Sequence, residues 1–357
     1  MTNREIVFNQ LRHIETPVVP YTIGFEGDVA DRLDAHYGTP DWRKRLNYFM
    51  AEVRCVDTDR KFPADASHNR DVFGGIWRID CFPWHLETPP LAEPNFDGYT
   101  FPKAEDFFIP DGREALCGVN SSVSSSGRCI DGKEAAREFL AAGTPNFRLA
   151  HLGWGLFERC WTLRGFENAL MDAIAEPDFF QEMLDRLVEL YLQFVDYTCE
   201  LPIDGILFGD DWGDQQGVII GADRWRKFLK PAWAKIYERV HASGKLVLSH
   251  SCGSVVDIIP DLVEIGLDCL ESCQPEARGM NPYELKKRFG DKIAFWGCLG
   301  SQSILPFGTP ENIRAEVTRL RSEMARGGGF ILAPAKPLQP ETPTANAVAL
   351  VEALMQN

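Results

Sequence analysis

From residue 145 onward the chain alternates short apolar runs with segments of helical periodicity, and this alternation restricts its possible folds more than any other feature. Short buried strands that alternate with helices form right-handed βαβ units, which build a parallel sheet. Helical spacing or capping signals occur at 176–200, 222–244 and 309–328. The apolar runs are FRLAHLGWG (147–155), GILFGDDWG (205–213), KLVLSHSCG (245–253), LDCLESCQP (267–275), KIAFWGCLG (292–300) and GFILAPAKP (329–337).

The number of candidate strands predicts an α/β protein whose sheet closes into a (β/α)8 TIM barrel. Residues 17–27, PVVPYTIGFEG, are a seventh candidate strand, and we expect an eighth in the first third of the chain. An open doubly wound sheet is the main alternative, but no G-x-G-x-x-G motif follows any of the strands. We therefore predict a single barrel domain over residues 1–357.

The first 145 residues are less regular. The stretches PPLAEPNFDGYTFP (89–102) and VNSSVSSSGRCIDG (119–132) are rich in Pro, Ser, Gly and Asn, which interrupt any periodicity. We interpret residues 55–145 as an irregular insertion of loops and some strand into the barrel, and not as a separate domain.

Composition excludes several classes of function. The net charge of −15 argues against a nucleic acid or an anionic membrane as partner. No apolar run approaches the ~20 residues that a membrane span needs. The polar start, MTNREIVFNQLRHIETP, does not resemble a secretory signal, and the 10 cysteines lack the spacing of a disulfide framework. We expect a cytoplasmic protein with reduced thiols that acts on a small molecule.

Polar and aromatic side chains follow the apolar runs. In a parallel barrel the functional groups gather at the carboxyl ends of the strands, so this concentration predicts an enzyme. The residues concerned are His151, Trp154, Glu158, Arg159, Asp210, Asp211, Trp212, His250, Cys252, Glu271, Cys273, Trp296, Cys298 and Lys336.

His250 and Cys252 are the candidate metal ligands. They stand two residues apart on an extended chain, so their side chains leave the same face of the strand. Imidazole and thiolate are the ligands that zinc prefers in proteins. A histidine that makes a hydrogen bond beside a buried cysteine is the alternative interpretation of this short pattern.

Asp210, Asp211 and Lys336 are the candidate catalytic residues. An aspartate at this position can ligate a metal or act as a base, and its alternative role is helix capping. Adjacent strand residues point to opposite faces, so at most one of the two aspartates should face the barrel mouth. Lys336 could contact an anionic group or, if desolvated, act as an acid or base, and a solvated loop residue is the alternative.

Three tryptophans at strand ends, each followed by glycine, are candidates for substrate binding. Their indole rings could line a pocket for a planar or cationic group, or could simply cap the barrel core. We assign the same candidate role to His151, near the end of the first run, and to Arg159, which follows it. The predicted substrate-binding set is His151, Trp154, Arg159, Trp212 and Trp296.

Three motifs resemble the uroporphyrinogen decarboxylase superfamily: HSCG (250–253), WGCLGSQSILPFGTPENIRAEV (296–317) and GGGFILAPAKPLQPETPTANAVALVEA (327–353). The resemblance covers residues 145–357 and implies a (β/α)8 barrel with its site in the mouth. True decarboxylases of this superfamily carry an arginine-rich N-terminal segment and a Gly-His-Gly turn after the last strand. This chain has neither feature, so it is closer to the corrinoid-linked methyltransferase branch.

The resemblance to the methyltransferases implies a zinc site. Those enzymes bind zinc through the His and Cys of H-x-C-G, which match His250 and Cys252, and through a cysteine after the last strand. Lys336 stands where that cysteine would be. Cys298 is our first choice for the third ligand, and the alternatives are Cys273, Glu271 and one of Asp210 or Asp211. The chain has no D-x-H-x-x-G cobalamin motif, so the methyl carrier would be a methyl-corrinoid on a separate protein.

The resulting hypothesis is a zinc-assisted methyltransferase that moves a methyl group between a small molecule, such as a methoxylated aromatic or N-methyl compound, and a corrinoid protein. Two other hypotheses remain open. One is a decarboxylase or lyase that holds a small acid through Lys336 or Arg159, with Asp210 or Asp211 as acid or base. The other is a non-catalytic barrel that binds a ligand. The sequence does not specify the substrate or the oligomeric state.

Overall fold

The structure is a computed structural model that describes residues 1–81, 83–110 and 129–356. Most of the serine-rich stretch on which the predicted insertion partly depends, 119–128, lies outside the described residues. In the part of the chain that the structure describes, no helix is both long and apolar enough to cross a bilayer.

Twelve strands are present in the described residues, and eight of them form one parallel sheet. In chain order they are β1 (Met50–Arg54), β2 (Lys61–Pro63), β3 (His68–Asp71), β4 (Ile76–Arg78), β5 (His85–Thr88), β6 (Cys129–Asp131), β7 (Phe147–Leu152), β8 (Gly205–Gly209), β9 (Leu246–His250), β10 (Cys269–Cys273), β11 (Ala294–Leu299) and β12 (Phe330–Pro334). The order in the large sheet is β12-β11-β10-β9-β8-β7-β1-β6. It includes all six predicted apolar runs, which confirms the α/β class.

Thirteen α-helices are present in the described residues: the first two precede the parallel sheet in the chain, the last follows it, and the others lie between its strands. They are α1 (Asn3–Leu11), α2 (Val29–Tyr37), α3 (Lys133–Ala141), α4 (Leu156–Arg164), α5 (Phe166–Ala175), α6 (Pro177–Cys199), α7 (Ala222–Arg224), α8 (Lys230–Ala242), α9 (Ile259–Glu264), α10 (Pro282–Phe289), α11 (Ile304–Phe307), α12 (Pro310–Met324) and α13 (Thr344–Met355). Short 3₁₀ segments span Pro40–Arg45 and Ala104–Phe107.

The predicted helices at 176–200, 222–244 and 309–328 are confirmed as α6, as α7 with α8, and as α12. Thr309 caps α12, because its hydroxyl accepts a hydrogen bond from the amide of Asn312. A π-helical turn at Trp225–Leu229 joins α7 to α8. Pro231 follows this turn and has no amide to donate to the carbonyl of Lys227, which accounts for the wider turn there.

The parallel sheet is curled. The amide of Arg4 donates to the carbonyl of Pro145, just before β7, and the carbonyl of Gln10 accepts from Gly329, just before β12. Six helical residues rise about 9 Å. Five strand spacings in a flat sheet would span about 24 Å. Helix α1 can therefore reach the starts of both strands only if the sheet curls around it.

The seventh predicted strand lies along the edge of the sheet. Tyr21 pairs with Leu332 of β12 in an isolated parallel bridge. Its hydroxyl also accepts a hydrogen bond from the amide of Asn47, 2.8 Å away, just before β1. This segment thus approaches both ends of the sheet. Because no strand ladder joins it to β1 or β6 in the described residues, the fold shown is a curled half-barrel, and closure into a complete (β/α)8 barrel stays a prediction.

A second sheet lies between β1 and β6 in the sequence. It is antiparallel, with the order β2-β3-β4-β5. In β4 the indole of Trp77 donates to the buried carboxylate of Asp71, which also accepts from the amide of Gly75, so a short polar network holds the hairpin together. The interpretation of 55–145 as an insertion into one domain stays a prediction.

Candidate active site at the ends of the central strands

Three neighbouring strands bring the central polar residues together. His250, the last residue of β9, is in register with Gly209 of β8 on one side and with Glu271 of β10 on the other. Asp211 follows β8 by two residues, and Cys252 follows β9 by two. Because the carboxyl ends of parallel strands meet at one edge of the sheet, these four side chains share one site.

Asp211, His250 and Cys252 form a compact group of donor atoms. One atom from each residue lies within 4.8 Å of the others. Nε2 of His250 is 3.4 Å from Sγ of Cys252 and 3.4 Å from Oδ1 of Asp211. The amide of Cys252 donates to Oδ1 of Asp211 at 2.8 Å, which ties the loop after β9 to the loop after β8.

Gly253 lets the two loops approach this closely. Its φ is +74°, in the left-handed region that side chains rarely adopt. A Cβ at this position would lie 2.5 Å from the carbonyl of Gly213. The glycine of the H-x-C-G motif is therefore required by the backbone approach, and it sets the position of Cys252.

Glu271 orients the ring of His250. Its carboxylate pairs with Nδ1, so that Nε2 faces Asp211 and Cys252. The ring side chain is about one-third exposed, at 32 %. Burial disfavours the imidazolium, but the charge of Glu271 and hydrogen bonds to Asp211, Cys252 and Glu271 raise the pKa of His250 well above its usual value. The imidazole is thus held in one orientation between two carboxylates.

The carboxyl of Asp211 is ionised at any physiological pH. Burial raises its pKa, but the hydrogen bond and charge of His250, the amide of Cys252 and the charge of Lys336 together lower the pKa of Asp211 to about 2. Lys336 is exposed and close enough to act on this carboxyl. The structure therefore places Lys336 beside the group and leaves its proposed catalytic role a prediction.

The donor set fits a zinc ion. Imidazole, thiolate and carboxylate are all zinc ligands, and bonds of 2.0–2.3 Å at tetrahedral angles put ligand atoms about 3.5 Å apart. Both distances from Nε2 of His250 agree with this value. The pairing of Nδ1 with Glu271 is the carboxylate–histidine arrangement that orients metal-binding imidazoles.

Glu158 is a further acidic group at this site that the sequence placed at a strand end without assigning a role. It lies in the first turn of α4, where its carboxylate accepts from the amide of Gly155 at 3.2 Å. Burial, followed by the charges of Asp210 and Asp211, raises the pKa of Glu158 to about 8. At neutral pH this carboxyl therefore holds its proton.

Glu158→Gln should make stability less dependent on pH. The folded chain keeps the Glu158 proton up to about pH 8, whereas the usual pKa is 4.5, so the wild type loses stability as the pH rises through this window. Glutamine cannot ionise, so in metal-free protein at about pH 9 we expect the variant to be more stable by on the order of 2 kcal/mol. Urea denaturation at a series of pH values measures this.

The exposed Glu138 of α3 provides the control for this test, as Glu138→Gln. Parallel stability curves for wild type and Glu158→Gln across pH 5 to 9 would show that Glu158 is not protonated at neutral pH.

Asp210 is fully buried and does not face the site. Its carboxylate accepts from the amides of Phe157 and Glu158 at the start of α4, and from the indoles of Trp212 and Trp233 at 2.7 and 3.1 Å. Burial raises the pKa of Asp210 to about 6, although the four hydrogen bonds favour the ionised form and lower it. The enclosed carboxylate and its four hydrogen bonds agree with an anchoring role, and the predicted catalytic role of Asp210 stays a prediction.

The approach of α4 to Asp210 depends on Gly155. A Cβ there would lie 2.5 Å from Cβ of Asp210 and 2.6 Å from the carbonyl of Gly209. Adjacent side chains on an extended chain point to opposite faces. Because Asp210 points toward α4, Asp211 points toward His250.

Three other predicted site residues are placed in the core. Trp212 is fully buried, 5.5 Å from the ring of Trp225, which agrees with a packing role, and its role in substrate binding stays a prediction. Trp296 is buried in β11, where its indole donates to the hydroxyl of Thr22 at 2.8 Å, and its pocket-lining role also stays a prediction. Cys298 is 1 % exposed and lies outside the candidate group of Asp211, His250 and Cys252, so its role as a metal ligand stays a prediction.

The remaining predicted residues lie on the β7 side of the site. His151 is partly exposed, and its Nε2 is 3.4 Å from the carboxylate of Glu52 on β1. Trp154 is partly buried and lies under the guanidinium of Arg159, at 4.7 Å from the ring centre. Their predicted roles in substrate binding stay predictions.

Comparison with known proteins identifies the relatives of this chain. A family model described as uroporphyrinogen decarboxylase (URO-D) matches residues 155–356. The methylcobamide:CoM methyltransferase MtaA of Methanosarcina barkeri is 28% identical over 182 residues, which are 51% of this chain and 50% of that protein. A uroporphyrinogen decarboxylase of Coxiella burnetii (strain Dugway 5J108-111) is 23% identical over 332 residues, which are 87% of this chain and 85% of that protein.

A solved methyltransferase from Methanosarcina mazei has the same fold. It matches with a TM-score of 0.65 and 19% identity, over 100% of this chain and 99% of that one. The chain spans about half the length of the first two curated relatives, both MtaA proteins. The resemblance noted from the three motifs is confirmed. Because the family model covers more than half of its residues, this chain belongs to the uroporphyrinogen decarboxylase (URO-D) family.

Proposed function

We propose that this chain is a metal-assisted methyltransferase, which moves a methyl group between a methylated small molecule and a corrinoid protein. The observation that carries the proposal is the group of imidazole, thiolate and carboxylate donors at Asp211, His250 and Cys252, whose atoms lie within 4.8 Å of one another. The similarity to methyltransferases named for a methylcobamide substrate supports the reaction class and the corrinoid partner.

Asp211, His250 and Cys252 would hold the zinc ion. Zinc bound there supplies Lewis acidity, which either lowers the pKa of an acceptor thiol or draws electrons from the oxygen of a methyl ether. Glu271 fixes the ring of His250 so that Nε2, and not Nδ1, faces the other two ligands. The carboxyl of Asp211 is already ionised before a metal binds, because its pKa is about 2.

Glu158 would supply a proton in the demethylating direction. When a methyl group leaves an ether, the oxygen keeps the bonding electron pair and needs a proton. A carboxyl with a pKa of about 8 is protonated at pH 7 and is close to the pKa that suits an acid at that pH. Its position in the first turn of α4 puts it within the electrostatic reach of Asp211 and His250.

A decarboxylase that acts on a small carboxylic acid is the second candidate. It is favoured by the fully buried cation of Arg159 and by the exposed cation of Lys336 near Asp211, either of which suits a substrate carboxylate. This candidate needs no metal. We also propose that the protein is cytoplasmic and that its sheet closes into a complete barrel around the site.

Metal analysis tests the proposal. We expect about one zinc per chain in protein purified without chelator or metal-affinity tag, and close to none in His250→Ala and Cys252→Ala. Loss of the metal should also abolish methyl transfer from methylcobalamin to a thiol, followed by the absorbance of the corrinoid. The exposed Cys81 provides the control, since Cys81→Ala should keep both the metal and the activity.

Well-folded wild-type protein without metal would contradict the zinc mechanism. Full methyl transfer after treatment with a chelator would do the same. Activity on a carboxylic acid that survives chelation but is lost in Lys336→Ala would favour the decarboxylase.

A further inference from the structure

A cluster of cations and indoles lies beside the candidate active site. Its members are Asp59, Lys61 of β2, Trp77 of β4, Trp154 and Arg159 of α4, and we call it the Arg159 cluster. The ring centres of Trp77 and Trp154 are 5.8 Å apart in an edge-to-face arrangement, which joins the antiparallel sheet to the start of α4. The cluster therefore combines two predicted site residues, Trp154 and Arg159, with three residues that no sequence motif indicated.

Arg159 is buried and incompletely hydrogen-bonded. Its exposed fraction is 0 %, and among the described residues it forms one ion pair, a 3.3 Å contact from Nη2 to Oδ1 of Asp59. Nε and Nη1 are buried without a well-formed hydrogen bond to the described residues, and the phenol of Tyr191 lies within hydrogen-bonding reach of the guanidinium. A buried donor without a partner costs about 1–3 kcal/mol, and more when it is charged. This guanidinium thus has unused capacity for an anion.

Lys61 shares the same carboxylate. Its side chain is 6 % exposed, and Nζ lies 2.5 Å from Oδ1 of Asp59. Nζ is also 4.4 Å from the ring centre of Trp77 and 5.5 Å from that of Trp154. Burial lowers the pKa of Lys61, although Asp59 opposes this. Two enclosed cations therefore contact a single carboxylate.

The nearby acidic groups are already engaged. The carboxylate of Asp71 accepts from the indole of Trp77 and from the amide of Gly75, whereas the ion pairs of Lys61 and Arg159 in the described residues are with Asp59. Glu158 holds its proton at neutral pH, since its pKa is about 8. A second anion on Arg159 would therefore satisfy donors that the described chain leaves open. A guanidinium fork matches the two oxygens of a carboxylate.

We propose that the Arg159 cluster is a subsite for a carboxylate group, so that the substrate is a small carboxylic acid gripped by Arg159 with Lys61 as second cation. This inference rests on the proposed function, because it assigns the anchor of the molecule whose reacting group meets Asp211, His250 and Cys252. The incoming carboxylate replaces or joins Asp59, whose contact with Arg159 is long and partly exposed. Glu158 and Arg159 are consecutive in α4, so the anchor and the proton donor share one helical turn.

Binding of benzoate tests the inference without any need for methyl transfer. Isothermal calorimetry on metal-free and on zinc-loaded protein compares benzoate with its neutral methyl ester and with inorganic phosphate. We expect benzoate to bind the wild type, and Arg159→Gln to weaken that binding by at least about tenfold. Arg159→Lys, which keeps the charge but loses the fork, should recover only part of the affinity. The partly exposed Arg137 of α3 provides the control, and Arg137→Gln should bind as the wild type does.

Lys61→Gln is the second variant, in case Arg159→Gln fails to fold. It removes the second cation and should weaken benzoate binding, and a thermal unfolding transition shows that the variant is folded. Equal binding of benzoate and its methyl ester, or unchanged affinity in both variants, would overturn the inference. Tighter binding of phosphate than of benzoate, lost in Arg159→Gln, would overturn the assignment to a carboxylate. Zinc content is measured on the same samples, so failure of the metal proposal is recorded separately from failure of this one.

Discussion

Asp211→Ala should lower the zinc affinity of the protein by about 100-fold or more, whereas Cys298→Ala should leave it unchanged. Asp211 contributes an ionised oxygen 3.4 Å from Nε2 of His250, and it also accepts from the amide of Cys252. Cys298 is buried outside this group of donor atoms. Competition against a chromophoric zinc chelator measures the affinity of each variant.

The same titration tests the orienting residue. Glu271→Gln should cost about 10- to 100-fold in zinc affinity, because the amide holds the ring of His250 without the charge that favours Nδ1–H. The reverse pattern, with zinc retained in Asp211→Ala and lost in Cys298→Ala, would restore the His/Cys/Cys set that the family resemblance implies. Loss of zinc in both single variants would point to a site that rearranges when the metal binds.

Asp210→Ala should reduce the free energy of unfolding by about 4 kcal/mol. The carboxylate accepts two backbone amides at the start of α4 and two indole N–H groups, all of them enclosed. Removing it leaves four buried donors without a partner and opens a cavity beneath Trp212 and Trp233. Urea denaturation, read from tryptophan fluorescence and far-ultraviolet circular dichroism, measures the change.

Two further variants show whether the effect belongs to this network. Asp210→Asn keeps one acceptor oxygen and should cost less than Asp210→Ala. Asp223→Ala removes a fully exposed aspartate from α7 and should change stability by less than about 0.5 kcal/mol. If Asp210→Ala were as stable as the wild type but inactive, the enclosed position would be wrong and the original catalytic assignment would stand.

The fold was readable from the sequence because its signals are local. Each of the six apolar runs is a largely buried strand that helices precede and follow in the chain, so its apolar residues are recognisable without knowledge of their partners. The same local logic located His250 and Cys252, since two residues on an extended chain share a face and Gly253 marks the turn after them. The irregular region gave no such signal for Lys61 or Trp77, whose strands are only three residues long.

Sequence alone thus determined the parallel α/β architecture, the edge of the sheet where the candidate site lies, and the pair His250 and Cys252 as candidate ligands. Tertiary structure decided which neighbours join that candidate site. It turned Asp211 toward His250 and enclosed Asp210 beneath α4, and it left Cys298 in the core while Lys61 and Arg159 both contact Asp59. The reason is physical: periodicity reports which face of an element is buried, whereas the contacts between side chains on different elements depend on strand register and on the curl of the sheet.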